Sequence, residues 1–381
     1  MLGVKMKNKI KERNSSLEIL RIFSMILIIA HHYSVHGYFN LSEQSLTLNK
    51  IIVQVLSLGG KLGVNCFILI TGYFLIKSKF SFKKLFFFIA EVYFYSISLF
   101  FIFIFLGLKE FSFKNFIIAS LPITFNGYWF VTIYIIMYMF SSYINKFIYS
   151  LNKLELFKFI ALGIFLWSFI PTFILVSPGF SNLAWFIILY TIAAYCRLYP
   201  NNIILSYKVN LIIVIITYSI TVFSVIVFDL IGTKIKLVGD NATIFMAGNR
   251  LPIAICSISL FLVFKNLRVK SNKFINTISA TTFGIYLIHD NTYVRPFLWN
   301  NILKNSEYLN SNFLVIHAIV SITIVFIICS IIDYLRKKLI EKPLLELISR
   351  NEDKFIKLGF YINNLFNKLM VKLRNLELKE T

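Results

Sequence analysis

What most restricts this chain is the recurrence, from residue 17 to about 340, of apolar runs of about twenty residues separated by short polar gaps. A helix of twenty residues reaches ~30 Å, the thickness of a bilayer's hydrocarbon core. Lipid offers no partner to an unpaired backbone amide, so such runs cross it as helices. The runs fall at 17–36, 51–76, 82–106, 128–149, 157–176, 182–198, 209–229, 243–264, 274–293 and 312–335. The expectation is an all-α polytopic membrane bundle of about ten transmembrane helices. With 58% hydrophobic and 15% charged residues, the chain cannot be a soluble domain pair of the same length.

The formal net charge is +22, and its distribution sets an orientation. Lys and Arg concentrate before the first, third, fifth, seventh and ninth runs, as in Lys5 to Arg13, Lys77 to Lys84, Lys146 to Lys158, Arg197 and Lys208, and Lys265 to Lys273. The alternate loops are poorer: Lys50, then Lys109 and Lys114, Lys234 and Lys236, and Arg295 and Lys304. By the positive-inside rule this predicts an even number of spans in the cell membrane, with both termini cytoplasmic. It also removes nucleic acid as a partner, because the basic residues form no soluble face. Residues 1–16 then read as a basic cytoplasmic segment, 17–335 as the membrane domain, and 336–381 as an amphipathic basic tail on the anionic inner surface. Cys66, Cys196, Cys256 and Cys329 stand in apolar surroundings without CxxC spacing and read as packed thiols. There is no phosphate-binding glycine loop and no zinc-ligand spacing, so no metal is expected.

Within the first run, Glu18, Arg21, His31, His32 and His36 interrupt an otherwise apolar helix. At 100° per residue Arg21 and His32 lie within roughly 20° of one face and about 16 Å apart along the axis. Glu18, Met25, Ile28 and His36 share that face, whereas His31 points away. Ionisable residues at membrane depth are costly and should face protein or water, which makes the stripe a candidate site. His32 is the candidate general base, and His31 its structural neighbour. The ninth run ends with His289 and Asp290 at the depth of His32 and His36, so two histidine-bearing helix ends meet at one level. In the second run Gly59, Gly60, Gly63 and Gly72 allow close helix approach or an unwound segment, and Lys61 and Asn65 would be costly against lipid. Lys83 and Lys84 at the start of the third run either snorkel to the interface or bind phosphate.

The stretch Asn14 to His32, NSSLEILRIFSMILIIAHH, resembles the opening motif of integral-membrane acyltransferase family 3. In that motif an acid precedes an Arg by three positions and ten residues separate the Arg from a His; here they are Glu18, Arg21 and His32. The resemblance continues through Gly63, Val64, Phe67, Thr71, Gly72 and Tyr73, through Trp129, Phe130, Tyr134 and Tyr138, through FGIYLIHD ending at His289 and Asp290, and through Glu341, Lys342 and Pro343. Where that family often has an Arg-rich start to the third span, this chain has only Ser81, Phe82, Lys83 and Lys84.

The resemblance implies transfer of an acyl group, usually acetyl, from cytoplasmic acetyl-CoA to a hydroxyl of an extracytoplasmic polysaccharide or its lipid-linked sugar precursor. His32 would act as general base or acyl carrier, Arg21, oriented by Glu18, would position the donor with Lys83 and Lys84, and His289, Asp290 and His36 would hold the acceptor. A separate extracytoplasmic transferase could complete the transfer. Two other classes remain open on the residues alone: a proton- or metal-coupled transporter using Arg21, His32, Glu91 and His289, and a non-catalytic scaffold of envelope assembly.

Overall fold

The computed structural model describes residues 14–125, 127–174, 181–200 and 206–350. Among them all regular structure is helical. The main helices are α1 (Ser15–Val35), α2 (Leu48–Leu75), α3 (Phe82–Phe105), the short α4 (Phe113–Ser120), α5 (Trp129–Ser150) and α6 (Lys153–Ile174). They continue with α7 (Asn182–Leu198), α8 (Tyr207–Gly232), α9 (Leu251–Asn266), α10 (Lys273–His289), α11 (Leu314–Arg336) and α12 (Lys342–Arg350). Each of the ten expected runs carries one of these helices, and α4 adds a short helix between the third and fourth.

Among the described residues, eight segments are long and apolar enough to cross a membrane. α7 and α10 have 17 residues each, about 26 Å of helix, and fall short of that length. Their positions explain the economy: α7 and α10 are rich in fully buried side chains, whereas α3, α6, α8 and α11 present Phe, Ile, Leu and Val outwards. A helix shielded by others need not match the lipid thickness that its outer neighbours meet. The eighth run departs from its expected limits. Short turns at Lys236–Gly239 and Ile244–Met246 precede a helix that becomes regular only at Leu251, where Pro252, which lacks an N–H, occupies the first turn.

α1 and α2 form the centre. A Cβ on Gly63 would lie 2.6 Å from the Ser24 carbonyl oxygen of α1, and Gly59 and Gly60 face Leu27 and His31 as closely. Gly72 makes the same approach to Tyr190 of α7, where a Cβ would stand 2.6 Å from the backbone oxygen. α2 is therefore a continuous helix that uses its glycines for contact, not for unwinding. The start of α1 is tied down by its cap, Asn14, which accepts from the Ser16 amide at 3.1 Å. Ser16 donates to the Leu267 carbonyl at 2.7 Å, and Ser15 joins Asn276 of α10 at 3.1 Å. All four cysteines are free and buried, as expected of packed thiols.

The chain divides into two compact units, 1–330 and 331–381. In the described part of the second, Arg336 pairs with Asp333 at 2.8 Å and with Glu341 at 2.9 Å, and Lys337 reaches Asp333 at 3.2 Å. The tail expected to lie on the membrane surface falls, beyond Arg350, outside the described residues.

Candidate active site

Two polar clusters lie along α1, one near each end. At the start, the buried Glu18 carboxylate accepts from Arg21 Nη1 at 2.8 and 3.0 Å and from the Ser279 hydroxyl of α10. A carboxylate out of water needs such partners, and with them it holds the guanidinium in one place. Arg21 keeps 29% of its side chain exposed and lies 5.8 Å from the ring centroid of Phe74. On the same end of the bundle Lys84 lines a cavity of about 170 Å³ with Phe88, Tyr134 and Tyr138. Lys83 and Lys84 are otherwise exposed at the first turn of α3.

At the opposite end of α1 the histidines separate. His31 turns to α2, where its Nδ1 meets the Ser57 carbonyl at 2.6 Å and its ring packs on Gly60. His32 turns to α10, its Nδ1 2.9 Å from His289 Nε2. His289, completely buried, has its own Nδ1 2.6 Å from the Ile285 carbonyl. A carbonyl only accepts, so with neutral rings the His289 Nδ1 carries the proton and its Nε2 carries a lone pair. His32 Nδ1 must then donate to that lone pair. The chain of bonds from Ile285 to His289 to His32 therefore leaves His32 Nε2 unprotonated and free to take a proton.

Asp290 stands close to that nitrogen. Its Oδ1 lies 3.7 Å from His32 Nε2, 3.7 Å from His36 Nε2, and 2.8 Å from Arg295 Nη2. Arg295 adds bonds from Nε to Oδ1 and from Nη2 to the Asp290 carbonyl, each 3.0 Å. The turn that ends α10 is fixed from α5: Tyr128, just before that helix, donates to the Leu287 carbonyl at 2.9 Å and accepts from Asn291 at 2.8 Å. Tyr33, one residue past His32, donates to His317 Nδ1 at 2.9 Å, because His317 Nε2 is committed to the Leu303 carbonyl at 3.0 Å.

His36 and Arg295 open onto a cavity of about 520 Å³ that Gln54, Ser57, Thr243 and Tyr38 also line. Its wall follows α1 through Tyr38 and Asn40, both with positive φ, 57° and 47°. That conformation is strained for a bulky side chain such as Tyr38, and such strain collects at functional sites. A smaller cavity of about 130 Å³ is lined by Lys61, Asn65, Trp129, Trp185 and Asn249. Lys61 and Asn65 thus face protein and not lipid, with the Lys61 ammonium 4.2 Å from the Trp129 ring centroid.

Of the residues singled out in the sequence, His32, His36, His289 and Asp290 meet in one cluster and Glu18 and Arg21 pair in another. Arg295 and Tyr128 were missed as site residues. The five-residue step from Asp290 to Arg295 could have suggested a pair, but both lie past the end of a helix, where periodicity says nothing.

The model of a family described as an acyltransferase domain matches residues 14–334, from the cap of α1 nearly to the end of α11. The chain belongs to acyltransferase family 3. No curated protein and no solved structure matches it. Acyltransferase activity is therefore the general chemistry of the chain.

Proposed function

We propose that the protein moves an acyl group, acetyl in the simplest case, from cytoplasmic acetyl-CoA to a hydroxyl of an extracytoplasmic polysaccharide or of its lipid-linked sugar precursor. The observation that carries this reading is the bond chain Ile285–His289–His32, which leaves a base on the face of α1 that also bears Arg21. The two residues are about 16 Å apart along the axis, comparable with the reach of a pantetheine arm. With the termini in the cytoplasm, Arg21 lies towards the donor side and the 520 Å³ cavity towards the acceptor side.

In this mechanism Arg21, held by Glu18, steadies the donor's phosphates, and Lys83 and Lys84 add positive charge at the same opening. The acceptor hydroxyl enters from the cavity beside His36 and Arg295. His32 Nε2 takes its proton as the oxygen attacks the thioester carbonyl, and the imidazolium returns the proton to the departing thiolate. His289 keeps the His32 tautomer, and Asp290, anchored by Arg295, faces the imidazolium as it forms. A route through an acyl-His32 intermediate uses the same nitrogen. A separate extracytoplasmic transferase could carry the group onward to a final acceptor. The amide and indole groups around Lys61 are of the kind that bind sugar faces.

Membranes containing the protein, supplied with labelled acetyl-CoA and total cell glycan, test the reading. Label is expected in an alkali-labile ester, with His32→Ala lowering the rate by ~10²–10⁴-fold. Unchanged ester formation in that variant would refute it. Proton or metal flux without ester would instead favour the transporter class.

A further inference from the structure

Besides a base, the cluster at the cavity mouth offers a set of metal donors. One nitrogen each of His32 and His36 and one carboxylate oxygen of Asp290 lie within 4.8 Å of one another, and each Nε2 is 3.7 Å from Oδ1. Around a tetrahedral Zn²⁺ with ligands at ~2.0–2.1 Å, neighbouring donor atoms stand ~3.3–3.4 Å apart. Each imidazole would close on the carboxylate by a few tenths of an ångström, and the two imidazole nitrogens, which lie within 4.8 Å of each other, by up to ~1.4 Å, a movement that ring rotation at the half-buried His36 can supply. The sequence sets these residues at one level, but their spacing is no metal motif, because His32 and His36 come from the end of α1 and Asp290 from just beyond α10.

Three features point to a ligand role. His32 and His36 are four residues apart, so one helix face presents both rings side by side, with centroids 5.1 Å apart. The His32 Nε2 is left with a lone pair, because the other ring nitrogen donates to His289, and metal-binding histidines commonly give their second N–H to such an acceptor. Finally, His36 lines the 520 Å³ cavity, through which a hydrated ion can arrive. Against the ion stands Arg295, whose guanidinium occupies Asp290 Oδ1 at 2.8 Å. Its side chain is 30% exposed and lines the open cavity, so the ion pair with Asp290 can be exchanged for water.

We propose that His32, His36 and Asp290 form a site for a zinc-class divalent cation that competes with Arg295, and that the bound ion inhibits by taking the His32 Nε2 lone pair. The inhibitory half rests on the acyl-transfer reading, whereas the binding half does not.

Zinc affinity of the purified full-length protein in detergent, measured by competition with a chromophoric chelator, tests the binding half directly. One saturable site is expected, weakened ~10–100-fold in His36→Asn and in Asp290→Asn. Arg295→Gln should tighten it by about tenfold, because a competing cation is removed. Equal affinity in wild type and in the variants, each checked for an unchanged melting temperature, would overturn the site. Tightening in Arg295→Gln counts only with an unchanged melting temperature, because a misfolded chain would expose its buried Cys and His to zinc. Ester formation measured with and without zinc tests the other half: bound zinc with undiminished His32-dependent transfer would overturn inhibition, whereas no bound zinc with intact transfer would overturn this proposal alone.

Discussion

The adjacent residues His31 and His32 have different fates because α1 touches different helices on its two sides. His31 is held by the Ser57 carbonyl and packs on Gly60, so it serves the contact between α1 and α2. His32 is held through His289 by a backbone carbonyl, which fixes its tautomer. Removing His289 leaves the His32 ring free to rotate and to exchange tautomers. His289→Ala is expected to lower the rate of ester formation by on the order of 10²-fold with little change in donor KM, read from initial rates against acetyl-CoA concentration. The contrasting substitution is Arg21→Ala, which should act chiefly by raising the KM for acetyl-CoA. The Glu18 carboxylate, buried between Arg21 and Ser279, also carries structural weight. Glu18→Ala should destabilise the protein by about 1–3 kcal/mol, seen as a lower melting temperature in detergent, because a charge-assisted bond is lost at a buried position.

At the scale of elements, the approach of α1 to α2 sets where both clusters sit. A methyl group at Gly63 would meet the Ser24 carbonyl at 2.6 Å, and backbone cannot step aside as a side chain can. Gly63→Ala is expected to destabilise by about 1–3 kcal/mol through overpacking. Gly127→Ala, whose Cβ would come no nearer than 3.4 Å to its surroundings, should leave the melting temperature almost unchanged and serves as the control. Much of this was legible in the sequence. The ten runs mark the helices, eight of the described segments being of a length that the bilayer imposes, and the four glycines of α2 mark its close contacts, three with α1 and one with α7. The depth argument that set His289 level with His32 also held, since both lie near the same ends of neighbouring helices. What stayed hidden is pairing across long separations and within irregular turns. Lys50 of α2 bonds Asp229 of α8 at 3.3 Å, and Gln54 joins the same carboxylate at 3.3 Å, yet periodicity within one helix cannot say which other helix lies beside it. Arg295 escaped for the second reason, as it follows a turn where neither helical nor strand spacing applies.

For the whole molecule, the two clusters on α1 are useful only if they face opposite sides of the membrane. Exposed Asn312 lies in the connection before α11, at the His36 end, and exposed Ser78 lies between α2 and α3, at the Arg21 end. Because all four native cysteines are buried, single substitutions can report on each side. Asn312→Cys is expected to react with an impermeant maleimide in intact cells, and Ser78→Cys only after permeabilisation; the reverse pattern would invert the orientation. The central claim, passage of an acyl group along α1 from a cytoplasmic donor to an outer hydroxyl at His32, is tested most directly with sealed vesicles of known sidedness. Inside-out vesicles given external labelled acetyl-CoA should form labelled ester on glycan enclosed in the lumen, and should lose that signal with His32→Ala. Ester formed equally well by the His32→Ala protein, or formed only when acetyl-CoA is supplied on the extracytoplasmic face, which is the lumen of these vesicles, would contradict the account.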